Sequence, residues 1–225
     1  MEKSKDLTVL FFDNHLVVVE KPRGLVTQPT KEHTESLEAM TKAWVKKEFN
    51  KPNDVFLHVV HRIDQVVSGI VLFAKTSKAL ERLNLFLKEK KFVKKYIAEV
   101  EGVISQERGT LIHFLRHDEH KAAVFKEKKA DTQEAVLHFQ VIERKSKSTI
   151  VLIDLETGRY HQIRAQFAAI NHPIVGDVKY GAKKIQDAGI YLHHAYLSFP
   201  HPVTKEIIQI VSQPNFFHQP VRNLF

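Results

Sequence analysis

A short polar core between two strand-forming runs constrains this chain most: Leu57-His-Val-Val-His61-Arg62-Ile63-Asp64-Gln65-Val-Val-Ser68-Gly69-Ile-Val-Leu-Phe-Ala-Lys75-Thr76. Val59 and Val60 lead in, and Ile70 to Ala74 lead out as an apolar run that reads as a buried strand. Gly accepts backbone angles that a side chain forbids, so Ser68-Gly69 is expected to turn sharply or to pack close against another segment. A lone carboxylate, Asp64, follows Arg62 and precedes Ser68. An acid on a loop pinned by two strands is held rigidly, which suits a reactive group. Arg62 and Asp64 equally fit a surface pair capping a hairpin, because most charged residues are simply solvated.

The rest of the chain bears on that choice. With 225 residues it can bury a substantial core as one domain or two intimately joined lobes, and a single catalytic domain over 1–225 is expected. A hydrophobic content of 43% with 15 Phe belongs to a globular protein rather than a disordered one. Cysteine is absent, which excludes disulfide scaffolds, Cys-based zinc sites and thiol nucleophiles. Lys and Arg number 34 against 26 Asp and Glu, a surplus of +8 that favours a polyanionic partner. No apolar run approaches the ~20 residues of a membrane span. Met1 to Asp6 lacks a signal-peptide core, so a cytoplasmic location and no membrane partner are the expectation.

Along the chain, Thr8–Phe12 and Leu16–Glu20 read as a hairpin around Asp13-Asn14-His15. Lys21-Pro22-Arg23-Gly24 then breaks the strand as a shaped loop expected to present two cations. Thr34 or Ser36 can cap a helix with Leu37, Met40 and Trp44 on one face, and Ser77 a second with Leu80, Leu83 and Leu87. The second ends in Lys88, Lys90, Lys91, Lys94 and Lys95. Those cations suit a helix C-terminus and a phosphate-facing patch equally. Lys95 to Gly102 alternates as a strand with Tyr96, Ala98 and Val100 on one face. Short strands and turns are expected from Gly109 to Leu155, with a solvated basic turn at Arg144 to Lys147.

Thr157 or Gly158 can start a helix that runs to Asn171, where His172-Pro173 stops it. Ile163, Phe167 and Ile170 form its core face, which places His161, Arg164 and Ala168 off the buried stripe. Gly176 to Gly181 is rich in turn residues, and Ile190–Phe199 with Glu206–Val211 reads as a further hairpin. Strands and helices mix without βαβ regularity, so an α+β fold with a mixed, largely antiparallel sheet and flanking helices is expected.

Metal and nucleophile motifs are weak. His113, His117 and His120, or His58 and His61, match no H-E-x-x-H helix, and strand geometry splits the first group between two faces. No Walker loop, G-x-G-x-x-G or G-x-S-x-G is present. Neither a metal nor a nucleotide or redox cofactor is expected.

Taken together, the pieces resemble the RluA-type pseudouridine synthases. The H-R-L-D-x-x-T/S-S/T-G signature of that family reads here from His61 to Gly69. The K-P-x-G loop matches Lys21 to Gly24, K-x-Y-x-A-x-V-x-G matches Lys94 to Gly102, and T-G-R-x-H-Q-I-R matches Thr157 to Arg164. P-I-x-G-D-x-x-Y-G matches Pro173 to Gly181, and Leu192-His193-His194-Ala195 resembles the closing strand. Ile63, Val67 and Tyr160 depart from the usual Leu, Thr and Thr.

The resemblance implies a pseudouridine synthase fold with a cleft across its sheet, and isomerisation of uridine in RNA. Asp64 would be the essential residue, acting on the sugar as base or nucleophile, or on the base. Arg164 maps to the residue that pairs with that carboxylate, and Tyr96 to the aromatic that stacks on the target base. A stacked uridine must be flipped to react, and Arg62 maps to the wedge or backbone contact that fills the vacated space. Lys21, Arg23 and the Lys88 to Lys95 cluster, Lys94 among them, are candidate phosphate contacts, with Arg159 and His161 as further RNA contacts. Ribosomal and transfer RNA both lie in the family's range. No S4-like N-terminal domain is evident, which favours small stem-loops, and no obligate protein partner is expected. The competing readings are an inactive RNA-binding protein of the same fold, and a hydrolase using Asp64 with a nearby carboxylate or a His-bound metal. Glu81 and Asp54, on a helix surface and a loop, are poor candidates for that second carboxylate.

Overall fold

The chain is described from a computed structural model covering residues 7–50, 52–186 and 189–225. The first six residues, read above for a signal peptide, lie outside the described part. The fold is α+β, and it divides into two compact units. One gathers the chain up to Phe92 together with Tyr196–Phe225, and the other is Val93–Ala195.

In the first unit, β1 (Thr8–Phe12) and β2 (Leu16–Lys21) form the expected hairpin. The Asp13 carboxylate accepts from the backbone N–H of His15 and Leu16, both at 2.7 Å, an Asx turn that fixes the reversal. β2 also pairs antiparallel with β4 (Ser68–Ala74), and β3 (His58–Val59) pairs with the end of β4. Leu16 to Val19 and Ile70 to Ala74 are wholly buried, so these strands are apolar on both faces rather than alternating. The tight turn falls at Asp64 to Val67, where Val67 N–H donates to the Asp64 carbonyl at 3.0 Å. That is earlier than the expected Ser68-Gly69, which already belongs to β4 with Gly69 at φ 117° opposite Lys21.

Helix α1 (Leu37–Glu48) is capped by Ser36, whose hydroxyl accepts from Ala39 N–H. Helix α2 (Ser77–Lys88) is capped by Thr76 rather than Ser77. Leu83, Phe86, Phe92, Leu197 and Phe199 join Leu16, Val18, Ile70 and Leu72 in this unit's core. The Phe92 and Phe199 rings stack at 5.2 Å.

The second unit is an antiparallel run in the order β5 (Val93–Glu101), β9 (Ser148–Leu155), β8 (Gln133–Arg144), β6 (Arg108–Asp118), β7 (Lys121–Phe125). β6 and β8 are long, at 11 and 12 residues, where short strands were expected. Ala135, Leu137, Phe139 and Val141 are buried while Glu134, His138 and Gln140 are exposed, which is the pattern of one half-buried strand. Nor is the basic turn merely solvated: Lys145 pairs with Glu99 at 3.0 Å and Arg144 with Glu107 at 2.6 Å. β10 (Leu192–Pro200) starts in this unit, and its later residues pair with β11 (Ile207–Val211) in the first.

Helix α3 spans Gln162–Ala169, shorter than the expected stretch from Thr157 or Gly158 to Asn171. His161, at its start, is left-handed with φ 53°, and the Gln162 side chain holds the preceding turn. Its Oε1 accepts from Thr157 Oγ1 (2.8 Å) and Arg159 N–H (2.9 Å), so these residues cannot join the helix. Every residue from Gln162 to Phe167 is buried. Arg164 is therefore inside the unit, not on an open face beside a buried stripe.

Candidate active site

In the first unit, two loops are laced together around Asp64. Gly24 N–H donates to the Gln65 carbonyl at 2.8 Å, and Gln65 Nε2 returns a bond to the Gly24 carbonyl at 3.0 Å. Thr27 Oγ1 donates to the Ile63 carbonyl at 2.9 Å. The Lys21 ammonium donates to the carbonyls of Leu25 (2.7 Å), Pro22 (3.0 Å) and Gln65 (3.0 Å). Leu25, Ile63 and Val67, within these loops, and Leu57, just before them, are buried. Asp64 itself is half-buried, on a turn whose two neighbours, Ile63 and Gln65, are both fastened by their carbonyls.

The expectation that Lys21 stands on the loop as a phosphate contact is corrected here. Lys21 is 0% exposed, and its three N–H donors are each directed at a backbone carbonyl. Burial pushes its ammonium down to about 7, against the pull of the Asp64 charge. Lys21 is thus an internal brace and a local positive charge for Asp64. Arg23 is half-buried, with Nη2 on Asn215 Oδ1 at 2.9 Å and its guanidinium over the Phe216 ring. Arg62 is exposed.

In the second unit, Arg164 forms a two-pronged ion pair with Asp177, Nε to Oδ2 at 2.6 Å and Nη2 to Oδ1 at 2.9 Å. Both side chains are buried, at 5% and 1% exposure, so the pair is desolvated and held in one geometry. It takes two of the five guanidinium N–H donors. The Tyr180 ring lies 5.1 Å from the guanidinium carbon. The Tyr180 hydroxyl accepts from Ala122 N–H at 2.7 Å and meets His161 Nδ1 at 3.0 Å. Burial pushes its ionisation up to about 12, so it stays protonated.

Tyr96, on β5, is buried and stacks on the His194 ring of β10 at 4.5 Å and 17°. Lys94 is half-buried, and burial lowers its ammonium below the usual lysine range. Arg159 is exposed, with Nε on the Glu134 carbonyl at 3.0 Å. His161 is buried beneath the exposed Tyr160, the two rings stacked at 3.8 Å and 17°.

Reading the sequence missed three supports: Asp177 as the partner of Arg164, Tyr180 as the anchor of His161, and Thr27 as a brace of the Asp64 turn. Asp177 lay in view inside the Gly176-Asp177 segment, and a buried Arg on a helix demands such a carboxylate. Thr27 carried no signal.

The family described as RNA pseudouridylate synthase matches residues 15–169. An uncharacterized RNA pseudouridine synthase of Bacillus subtilis, YlyB, is 37% identical over 209 residues, covering 91% of this chain and 68% of that protein. The dual-specificity RNA pseudouridine synthase RluA of Vibrio parahaemolyticus is 31% identical over 226 residues, 96% of this chain and 87% of that one. Among solved structures, human RNA pseudouridylate synthase domain containing 4 superposes with a TM-score of 0.77 at 22% identity, over 96% of this chain and 92% of that one, a likeness of fold. On the family match and these identities, the chain belongs to the RNA pseudouridylate synthase family.

Proposed function

We propose that this protein isomerises particular uridines in structured RNA to pseudouridine, with Asp64 as the essential group. The observation that carries the reading is the laced turn: a half-buried carboxylate whose two chain neighbours are pinned and whose nearby cation, Lys21, is sealed from water. Fixed charge of that kind stabilises charge that develops during reaction without waiting for solvent to reorganise.

The chemistry is an internal rearrangement. The N1–C1′ bond of the target nucleotide breaks, the base turns, and C5 bonds to C1′. C5 then loses its proton while N1 gains one, so the product has the composition of the substrate. A carboxylate suits this because C1′ becomes electron-poor as its bond to nitrogen lengthens. Asp64 traps or stabilises that carbon, or removes a proton from the nucleotide. Tyr96 and Arg164 are kept as catalytic candidates by resemblance, Tyr96 as the ring that stacks on the target base. Asp177 keeps the Arg164 guanidinium in one orientation. The target base must leave its stack to react. Exposed Arg62 and Arg159, with half-buried Arg23 and Lys94, are the proposed contacts to RNA.

The reading places the substrate in ribosomal or transfer RNA. Transcripts of each, made with uridine tritiated at C5, test it: incubation with the protein is expected to release tritium to water from one class of transcript. No release from either class would defeat the proposal.

A further inference from the structure

Tyr160 departs from the family pattern and is 44% exposed. It is also held in one pose. His161 backs it at 3.8 Å, nearly parallel, and the His117 ring stands against it at 4.1 Å and 64°. His161 is fixed by its left-handed backbone at the start of α3 and by Tyr180, which is in turn fixed by Ala122.

We propose that Tyr160 is a stacking platform for a second, unpaired base of the bound RNA, distinct from the target uridine; this rests on the reading that RNA is the ligand. A preset aromatic loses little freedom on binding and accepts any base, since every base has a π-face. Positive charge lies at hand for the neighbouring phosphates. Arg159 precedes Tyr160 and is exposed, and Lys94 Nζ lies 3.5 Å from where a side chain on Gly158 would begin. The competing account is that Tyr160 only packs on His161 to steady the turn. Half-exposure of the ring is more than that task needs.

The test is a titration of an RNA hairpin whose unpaired loop carries a fluorescent purine analogue, one position at a time. The wild type, Tyr160→Phe and Tyr160→Trp are expected to quench the analogue at one position. Tyr160→Leu is expected to lose the quench and bind about five- to a hundred-fold more weakly, the worth of one base–aromatic stack. In Tyr160→Trp, the indole emission in excess of that of native Trp44, measured against the wild type, is expected to change when RNA is added, which reads the contact without removing an aromatic. Undiminished affinity and quench in Tyr160→Leu, or an indole indifferent to RNA, would overturn the proposal. Tritium release by the wild type alongside that result would leave the catalytic reading standing. A Tyr160-dependent quench without tritium release from any transcript would do the reverse.

Discussion

The Lys21 ammonium lies 3.0 Å from the backbone carbonyl of Gln65, so a fully buried cation is fastened to the residue that follows Asp64. The same ammonium holds the carbonyls of Pro22 and Leu25. One side chain thereby joins the end of β2 to both loops of the candidate site, and the carbonyls offset the cost of burying its charge.

Lys21→Met leaves three carbonyls short of a donor and should lower the unfolding free energy by about 3 kcal/mol. The pH dependence has a definite sign. The folded-state value is about 7, whereas an unfolded lysine titrates near about 10.4. Between those values the unfolded chain binds more protons, so this group's penalty, complete below pH 7, is relieved as pH rises. The stability of the wild type relative to Lys21→Met should therefore grow from neutral to alkaline pH, by at most ~1.4 kcal/mol per unit. Urea unfolding of both across that range reads it, and parallel pH profiles would contradict it.

Removing one partner of a desolvated ion pair strands the other. Asp177→Ala should cost about 3–5 kcal/mol because the buried Arg164 loses both prongs. Asp177→Asn, which keeps an acceptor oxygen, should cost less. A change of under ~1 kcal/mol for Asp177→Ala would mean that the pair contributes little to the second unit.

Thr27→Val keeps the shape of a buried side chain and deletes its bond to the Ile63 carbonyl. Stability should fall by only about 1 kcal/mol. The initial rate of tritium release should fall about tenfold or more, because a loosened turn misplaces the carboxylate. Equal, small effects on both quantities would deny Thr27 a positioning role.

Much of this was legible in the chain because local chemistry decided it. The Asp13 turn, the Ser36 cap and the unbroken Ile70 to Ala74 strand follow from residues that act on their immediate neighbours. Asp64 stood out as a lone acid between strand-forming runs. What stayed hidden depended on distant parts of the chain. Lys21 reads as a loop cation until the Gln65 carbonyl arrives from 44 positions away. Arg164 reads as an outward residue until Asp177 neutralises it inside the unit. The start of α3 is hidden in the sequence because the Gln162 side chain captures Thr157 and Arg159, which no helical periodicity announces.

The most direct measurement is tritium release from C5-labelled RNA by Asp64→Asn, a substitution that preserves size while removing the charge. The account predicts no release above background, with affinity for the same RNA within a few-fold of the wild type. Turnover at a rate comparable to the wild type would contradict it.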